Sequence, residues 1–330
     1  MAAESAWKLG GLTWKQLGQR IWREFNQDEI LDRSAALSYY FLSALFPLIL
    51  VLFAILGLMA SPGSQLRDSI LRYAAMLLPG SANTLIQQTL DQITKASGGG
   101  KISFGILLSI WTASAGVVAV MSALNVVYDI REWRSFVRVR LTAIGLMFAM
   151  SICIIVGLAL ALFGGSIAEW VGAHMGLSGA FVIAWKIIQW PIVVAAVLLA
   201  FALLYYFGPA IRDQHWEWVT PGSVLGLALW LLVSLAFKTY LNFFNSYNAT
   251  YGSLGAVIIL LLWFYVTGIS LLLGAEVNSE IEHAAAEHGD LEAKARGEVA
   301  PGHPDPREGL VQPTHPNLSK KKKKEKRPAA

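Results

Sequence analysis

Ionisable side chains inside long apolar runs are the first candidates for chemistry in this sequence. Lys186 and Lys238 lie within two such runs. A charge at membrane depth is costly and commonly faces an internal cavity, where the two lysines would bind an anionic head group or pair with Glu169. In the alternative interpretation both lysines lie within about 10 Å of the outer membrane boundary, and their ammonium groups extend to the lipid headgroups.

A polar stop at Glu276 and Asn278 ends the last apolar run, residues 254–275. The simpler interpretation of Glu276 is a boundary charge that keeps the helix from sliding outward, paired with Arg33 or Arg140. The alternative is a role in a gate or a proton relay, because ionisable residues at the ends of membrane helices often serve function. The sequence leaves both interpretations open.

Polar and small residues precede the same apolar run. Gly252 follows Tyr251, and a glycine there allows a tight turn or a close helix contact. The candidate substrate or gate residues are Lys186, Lys238, Tyr251, Gly252, Glu276 and Asn278.

The sequence contains no motif for catalysis. The six histidines form no HExxH or other metal-ligand spacing, and there is no P-loop for ATP and no GxSxG nucleophile elbow. Glu282, His283, Glu287 and His288 cluster after the last apolar run, and we interpret them as a solvated helix face. Cys153 is the single cysteine, so neither an intramolecular disulfide nor a cysteine metal cluster is expected. We predict no enzymatic activity, no cofactor and no metal.

The composition indicates the elements that must position these residues. Apolar residues make up 55% of the 330-residue chain, charged residues make up 15%, and the mean hydropathy is +0.52. Average soluble chains carry about 25% charged residues. The composition is therefore typical of a polytopic membrane protein.

Six apolar segments are long enough to cross a bilayer, which takes about 20 helical residues. The predicted spans are residues 35–60, 102–128, 141–163, 180–207, 221–242 and 254–275. Residues 61–101 predict two amphipathic helices that are too short and too polar to span, separated by Pro79 and Gly80. The predicted fold class is all-α: an integral membrane protein with six transmembrane helices and an external amphipathic helical hairpin.

Both ends of the chain differ from the membrane domain, residues 34–282. Within residues 1–33, Trp14, Leu17 and Ile21 recur at helical spacing, which favours an amphipathic helix on the membrane surface, with a soluble cap as the alternative. Residues 283–330 predict a helical extension to about Arg296 and then a disordered basic tail.

Basic residues set the predicted orientation. With the amino terminus inside, the cytoplasmic segments include the basic residues of 1–33, the arginines of 129–140 and the lysine-rich tail. The outside segments hold four Lys or Arg residues in 61–101 and none in 164–179 or 243–253. The positive-inside rule therefore places both termini in the cytoplasm. The basic N-terminal segment and the tail predict contact with anionic membrane lipids. The sequence leaves open whether the protein forms a homo-oligomer, and we expect no specific nucleic-acid partner.

Two long stretches resemble a known family. They are DRSAALSYYFLSALFPLILVL at Asp32–Leu52 and YGSLGAVIILLLWFYVTGISLLLGAEVNSEIE at Tyr251–Glu282, with RSFVRVR and LLPG as shorter matches. Over roughly residues 20–285 the chain resembles the YihY/BrkB family of bacterial inner-membrane proteins, whose frequent label ribonuclease BN we regard as a mistaken assignment. The resemblance implies an inner-membrane location and a role in export or transport, including of lipid-like molecules, and it supplies no catalytic residues.

Three functions remain after these exclusions. The first is translocation of an amphiphile, such as an anionic lipid or a lipid precursor, without ATP. The second is a carrier for ions or small solutes, and the third is a scaffold for envelope enzymes that transports nothing. A groove open to lipid would favour the first, a closed polar cavity at the midplane the second, and tight, dry packing the third.

Overall fold

Long helices dominate the structure, a computed structural model that describes residues 6–59, 99–175, 179–212, 219–243, 253–290, 293–300 and 303–304. The helices are α1 (Trp14–Gln27), α2 (Ile30–Met59), α3 (Gly99–Val127), α4 (Phe136–Met175), α5 (Gly179–Phe207), α6 (Pro221–Phe243) and α7 (Ser253–Glu287). A 3-10 helix, Ala6–Gly11, precedes them, and a short antiparallel pair, β1 (Glu298–Ala300) and β2 (His303–Pro304), follows. The predicted helical class is confirmed.

Five of the described helices are long and apolar enough to cross a membrane. The qualifying segments are Leu107–Val127, Phe136–Ala161, Gly179–Phe207, Pro221–Tyr240 and Val257–Glu287. The predicted first span falls in α2, a helix of 30 residues. Six spans and the external hairpin at 61–101 stay predictions, because residues 60–98 lie outside the described part of the chain.

The predicted loop at residues 164–179 is wrong over most of its length, because α4 continues to Met175. Gly164 faces Gln189 of α5, and Gly165 faces Lys186 of the same helix. Small residues let two membrane helices approach closely. The glycines therefore serve the α4–α5 contact and do not end the helix.

The predicted helical extension to about Arg296 is also wrong, because α7 ends at Glu287. Gly289 has φ +92°, a left-handed conformation that suits glycine. The N–H groups of Gly289 and Asp290 donate to the carbonyls of Ala286 and Ala285, respectively, at 3.1 and 3.0 Å. This Schellman pattern turns the chain back after the helix.

The N-terminal helix packs against the last one. A capping box starts α1, in which the Gln16 N–H donates to Thr13 Oγ1 at 3.3 Å. Leu17, in α1, is 2% exposed and clusters with Val277 and Ile281 of α7. Part of the apolar face predicted to rest on the membrane is thus covered by α7.

The hydrophobic core lies at one end of the helices. Leu37 of α2, Leu124 of α3, Ala143 of α4, Leu204 of α5 and Leu272 of α7 are each at most 3% exposed and belong to one cluster. Many apolar side chains elsewhere on α4 and α5 are exposed. Such surfaces suit a lipid solvent, in which apolar side chains need no protein cover.

Glycines bring α6 and α7 into close contact. A Cβ atom at Gly222 would collide with the Gly274 carbonyl oxygen and with the Asn278 side chain. The Gly222 N–H donates to Asn278 Oδ1 at 2.9 Å, which satisfies one of the free donors at the start of α6. Asn278, a predicted site residue, therefore has a structural role.

We predict that Gly222→Ala destabilises the protein by about 1 to 3 kcal/mol, because the added methyl group forces α6 and α7 apart. Gly145→Ala is the control, since no atom lies within 4 Å of a Cβ at that position of α4. Thermal unfolding of the purified proteins in detergent measures both. Equal melting temperatures for the two variants would contradict the close contact.

Candidate functional site

Charged side chains gather where α1, the α3–α4 connection, α7 and the segment after α7 meet. The charge cluster consists of Glu24, Asp28, Asp129, Glu276, Glu280, His283 and Arg296. Helical spacing explains its assembly: Glu24 and Asp28 are one turn apart, and Glu276, Glu280 and His283 follow one face of α7.

Arg296 is the central cation of the charge cluster. Its Nη2 lies 3.0 Å from Glu24 Oε1 and also contacts Glu280 Oε1, while its Nη1 lies 3.4 Å from Asp129 Oδ2. Arg20 Nη1 adds a second cation at 3.7 Å from Glu280 Oε2. Carboxyl groups from three parts of the chain are thus joined by one side chain from a segment that was predicted to be helix.

The prediction of a solvated face for residues 282–288 is wrong for His283, which is 4% exposed. Glu282 contacts Lys294 Nζ, and Glu287 accepts from Arg20 at 2.6 Å. The covering of this face by α1 and by the returning chain explains the error. The four-residue spacing of acids at the end of α1 (Glu24 and its C-cap Asp28) and on α7 (Glu276 and Glu280) was the sequence signal.

Glu276 does not form the ion pair with Arg33 or Arg140 that the simpler interpretation offered. It is 1% exposed, and no ion pair of the described residues joins it to Arg33 or Arg140. Its Oε2 is buried without a hydrogen-bond partner among the described residues. Its electrostatic neighbours are mainly carboxyl groups, led by Asp28.

Burial changes the protonation of the cluster. Burial, with the charges of Asp129 and Glu24, raises the pKa of Asp28 from 3.8 to about 7. Burial also raises the pKa of Asp129, although Arg296 and His283 oppose it. Burial alone would lower the pKa of Arg296, but its hydrogen bond to Glu24 and the charges of Glu280 and Asp129 outweigh burial and raise it. Arg296 therefore stays charged while Asp28 titrates near neutral pH.

A cleft of about 490 Å³ lies between α2, α3 and the start of α4. We call it the arginine cleft, and its lining is Arg33, Ala36, Leu37, Tyr40, Ala115, Val118, Ala119, Ser122, Ala123, Phe136, Val139 and Arg140. Phe136 is 70% and Tyr40 is 42% exposed, so the cleft opens to the protein surface. Its walls are mainly apolar, with two cationic side chains.

The two arginines of the cleft differ in their partners. The Arg140 guanidinium carbon lies 4.1 Å from the centre of the Trp111 ring, and Arg140 Nε is buried without a hydrogen-bond partner among the described residues. Arg33 Nε donates to the backbone carbonyl oxygen of Asp28 at 2.7 Å. Arg33 therefore connects the arginine cleft to the charge cluster. Neither arginine was predicted as part of a binding site.

The predicted pairing of Lys186 with Glu169 is present, but no described contact brings Lys238 to this pair. Lys186 Nζ lies 2.7 Å from Glu169 Oε1, and the two side chains are 47% and 60% exposed. Lys238 is exposed on α6, and no ion pair of the described residues includes it. A shared role for the lysines stays a prediction, and Tyr251 and Gly252 lie outside the described residues.

The described part of the chain contains no three His, Cys, Asp or Glu side chains placed to hold a metal ion. The buried carboxyl groups instead meet arginines. The arrangement can therefore bind protons in the charge cluster and an anion in the arginine cleft, since carboxyl groups and guanidinium groups favour these partners.

We predict that Arg296→Gln destabilises the protein by about 1.5 to 3 kcal/mol, because the buried carboxyl groups of Glu24 and Glu280 then lose a charged hydrogen-bond partner. Arg23→Gln is the matched control, since Arg23 also pairs with Glu24 but is 57% exposed. Exposed pairs contribute about 0 to 1 kcal/mol. Thermal unfolding in detergent at pH 7 distinguishes the two, and equal losses would argue against a central role for Arg296.

A second prediction concerns pH and Asp28. The pKa raised to about 7 means that the folded state holds this proton more tightly than the unfolded state. The resulting stabilisation is complete below the ordinary pKa of 3.8 and is lost as the pH rises to about 7. Asn resembles the neutral acid. The free energy of unfolding of Asp28→Asn should therefore equal that of the wild type near pH 4 and be larger by about 2 to 4 kcal/mol at pH 8. Melting temperatures across this range test it, and a pH-independent difference would refute it.

Comparison with known proteins agrees with this architecture. Residues 21–298 match the model of the family described as Virulence factor BrkB. The chain is 35% identical over 261 residues to the putative ribonuclease-like protein YfkH of Bacillus subtilis (strain 168), which covers 79% of this chain and 93% of that protein. No solved structure matches the chain.

More distant relatives are described as membrane proteins. UPF0761 membrane proteins of Xanthomonas oryzae pv. oryzae and Xanthomonas axonopodis pv. citri are each 26% identical over 278 residues, or 80% of this chain. The chain spans 60% of the length of these relatives. With its five apolar helices of spanning length and a family match over most of its residues, this chain is an integral membrane protein of the BrkB family.

Proposed function

We propose that this protein moves an amphiphile with an anionic head group, such as an anionic lipid or a lipid precursor, without ATP. The arginine cleft is the observation that supports this function. It combines about 490 Å³ of mainly apolar space with Arg33 and Arg140. An amphiphile has the same division between an apolar chain and a charged head.

Guanidinium groups suit a phosphate head group. Their planar arrangement of donors matches phosphate oxygens and allows paired, charge-assisted hydrogen bonds. Buried polar atoms normally have a partner, and a phosphate oxygen would supply one for Arg140 Nε. Ala115 and Ala119, one turn apart on α3, leave space along the wall for an acyl chain.

The cleft favours this function over the two alternatives. A carrier for small ions would favour a closed polar cavity, whereas this cleft has apolar walls and exposed rim side chains such as Phe136. A scaffold would favour tight, dry packing between the helices. In our proposal the protein is no enzyme, and the ribonuclease-like name is that of the Bacillus relative, not of this chain.

The proposed setting is the bacterial inner membrane with both termini in the cytoplasm. This orientation rests on the excess of arginine between residues 129 and 140 and on the lysine-rich tail. The arginine cleft then lies toward the cytoplasmic side, where α2 begins and α3 ends. The basic ends of the chain would contact anionic lipids of that leaflet.

We predict that Arg33→Gln and Arg140→Gln each reduce transport of a fluorescent phosphatidylglycerol analogue in proteoliposomes by about tenfold. A hydrogen bond to a charged group contributes about 1.5 to 3 kcal/mol, and about 1.4 kcal/mol corresponds to tenfold. Arg138→Gln is the matched control, because Arg138 begins the same helix as Arg140 but does not line the cleft. Its transport rate should stay near that of the wild type.

The head group is tested with a phosphatidylcholine analogue of the same chain length. Its zwitterionic head should be transported more slowly by the wild type and should respond less to either arginine substitution. Normal phosphatidylglycerol transport in both variants, with normal protein levels in the vesicles, would refute the proposed role of the cleft.

A further inference from the structure

Two carboxyl groups of the charge cluster, Asp28 and Glu276, form no direct ion pair with the described residues. Ion pairs reach Glu24, Asp129 and Glu280, but none in the described ranges reaches Asp28 or Glu276. Asp28 is 6% exposed and Glu276 is 1% exposed. Water therefore cannot replace the missing cation at either group.

Further buried polar atoms lie beside Glu276 on the same face of α7. Ser279 Oγ, like Glu276 Oε2, lacks a hydrogen-bond partner within the described part of the structure. Among the described residues, Glu280 Oε2 and His283 Nδ1 have polar neighbours only beyond hydrogen-bond distance, Arg20 Nη1 at 3.7 Å and Glu280 Oε1 at 3.6 Å. The spacing of Ser279, Glu280 and His283, three, four and seven residues from Glu276, places them on one side of the helix. Buried polar atoms are normally satisfied, so this face requires a proton, a water molecule or an ion.

The charges around the two acids favour the proton. Glu276 is buried and faces the carboxyl groups of Asp28, Glu280, Glu24 and Asp129, and no cation of the described residues pairs with it. The charged and titratable groups that face Asp28 and Glu276 are Glu24 of α1, Arg33 of α2, Tyr128 and Asp129 of the α3–α4 connection, Glu280 of α7 and Arg296 after α7.

We propose that Asp28 and Glu276 form a proton-binding site and that Arg33 links this site to an anion bound in the arginine cleft. The proton comes from water and is held as the carboxylic acid, and it returns to water when the acid ionises. The coupling ion of the transporter is then the proton. This inference rests on the proposed function for the identity of the anion, whereas the proton site stands without it.

Arg33 provides the physical link. It lines the cleft, donates through Nε to the Asp28 carbonyl at 2.7 Å, and its positive charge favours the ionised form of Asp28. A phosphate at Arg33 offsets that charge, so anion binding promotes proton uptake by Asp28. Linkage is reciprocal, and proton uptake strengthens anion binding by the same factor.

Binding of dihexanoyl-phosphatidylglycerol to the purified full-length protein tests the link, because its phosphate stays charged between pH 6 and 9. We expect wild-type affinity to fall by about fivefold or more over this range, as typical couplings allow. Asp28→Asn and Glu276→Gln resemble the protonated acids, and each should weaken this pH dependence, which the double variant should lose. Asp32→Asn, the matched control, removes an exposed acid one residue before Arg33 and should keep it.

Infrared difference spectroscopy of the same proteins observes the proton directly, through the carbonyl stretch of a protonated carboxyl group. We expect this band in the wild type near pH 6, reduced in Asp28→Asn and Glu276→Gln and retained in Asp32→Asn. A band that is unchanged in both site variants would overturn the proton site. Loss of the wild-type band on addition of sodium ions would also overturn it.

The two readouts separate the possible failures. Lipid binding of equal strength at pH 6 and pH 9 would overturn the link through Arg33 and leave the proposed function intact. If the lipid does not bind at all, the proposed function fails and the link falls with it. The infrared band decides the proton site in either case.

Discussion

Burial of carboxyl groups between α1 and α7 is the constraint on which the described structure depends. Glu24, Glu276 and Glu280 are each at most 4% exposed, and buried carboxylates persist only with counter-charges or protons. Arg296 supplies the main counter-charge from outside the helices. The segment after α7 must therefore fold back, and the turn at Gly289 serves that need.

The helix α7 meets this constraint while packing closely on its other side. Gly274 and Asn278 are four residues apart and face α6, whereas Glu276 and Glu280 belong to the charge cluster. Two residues of separation correspond to a rotation of about 200° in a helix with 3.6 residues per turn. One short stretch therefore carries both a glycine contact inside the membrane domain and a charged face toward α1. A change in its register would lose both together.

The sequence predicted the described apolar spans but missed the ends of α4 and α7 and the partners in the site. Long apolar runs indicate membrane helices because bilayer thickness fixes their length, and the described spans follow those runs. The predicted loop from Gly164 falls inside α4, because beside α5 this glycine serves close packing. The charge cluster joins Glu24 to Arg296, at opposite ends of the chain. Periodicity reports on one element at a time, so it could mark the acids on α7 and could not supply their partners.

The arginine cleft and the charge cluster share one cationic side chain, that of Arg33. One guanidinium offsets about one negative charge, whether that charge is an ionised Asp28 or a phosphate in the cleft. If both anions were present, one of them would lack a counter-charge in surroundings of low dielectric constant, where such an excess is expensive. Protonation of Asp28 is the least costly response, because burial already holds its pKa near neutral pH. In the proposed mechanism, an acid that titrates in this range beside Arg33 therefore converts the arrival of an anion in the arginine cleft into the uptake of a proton.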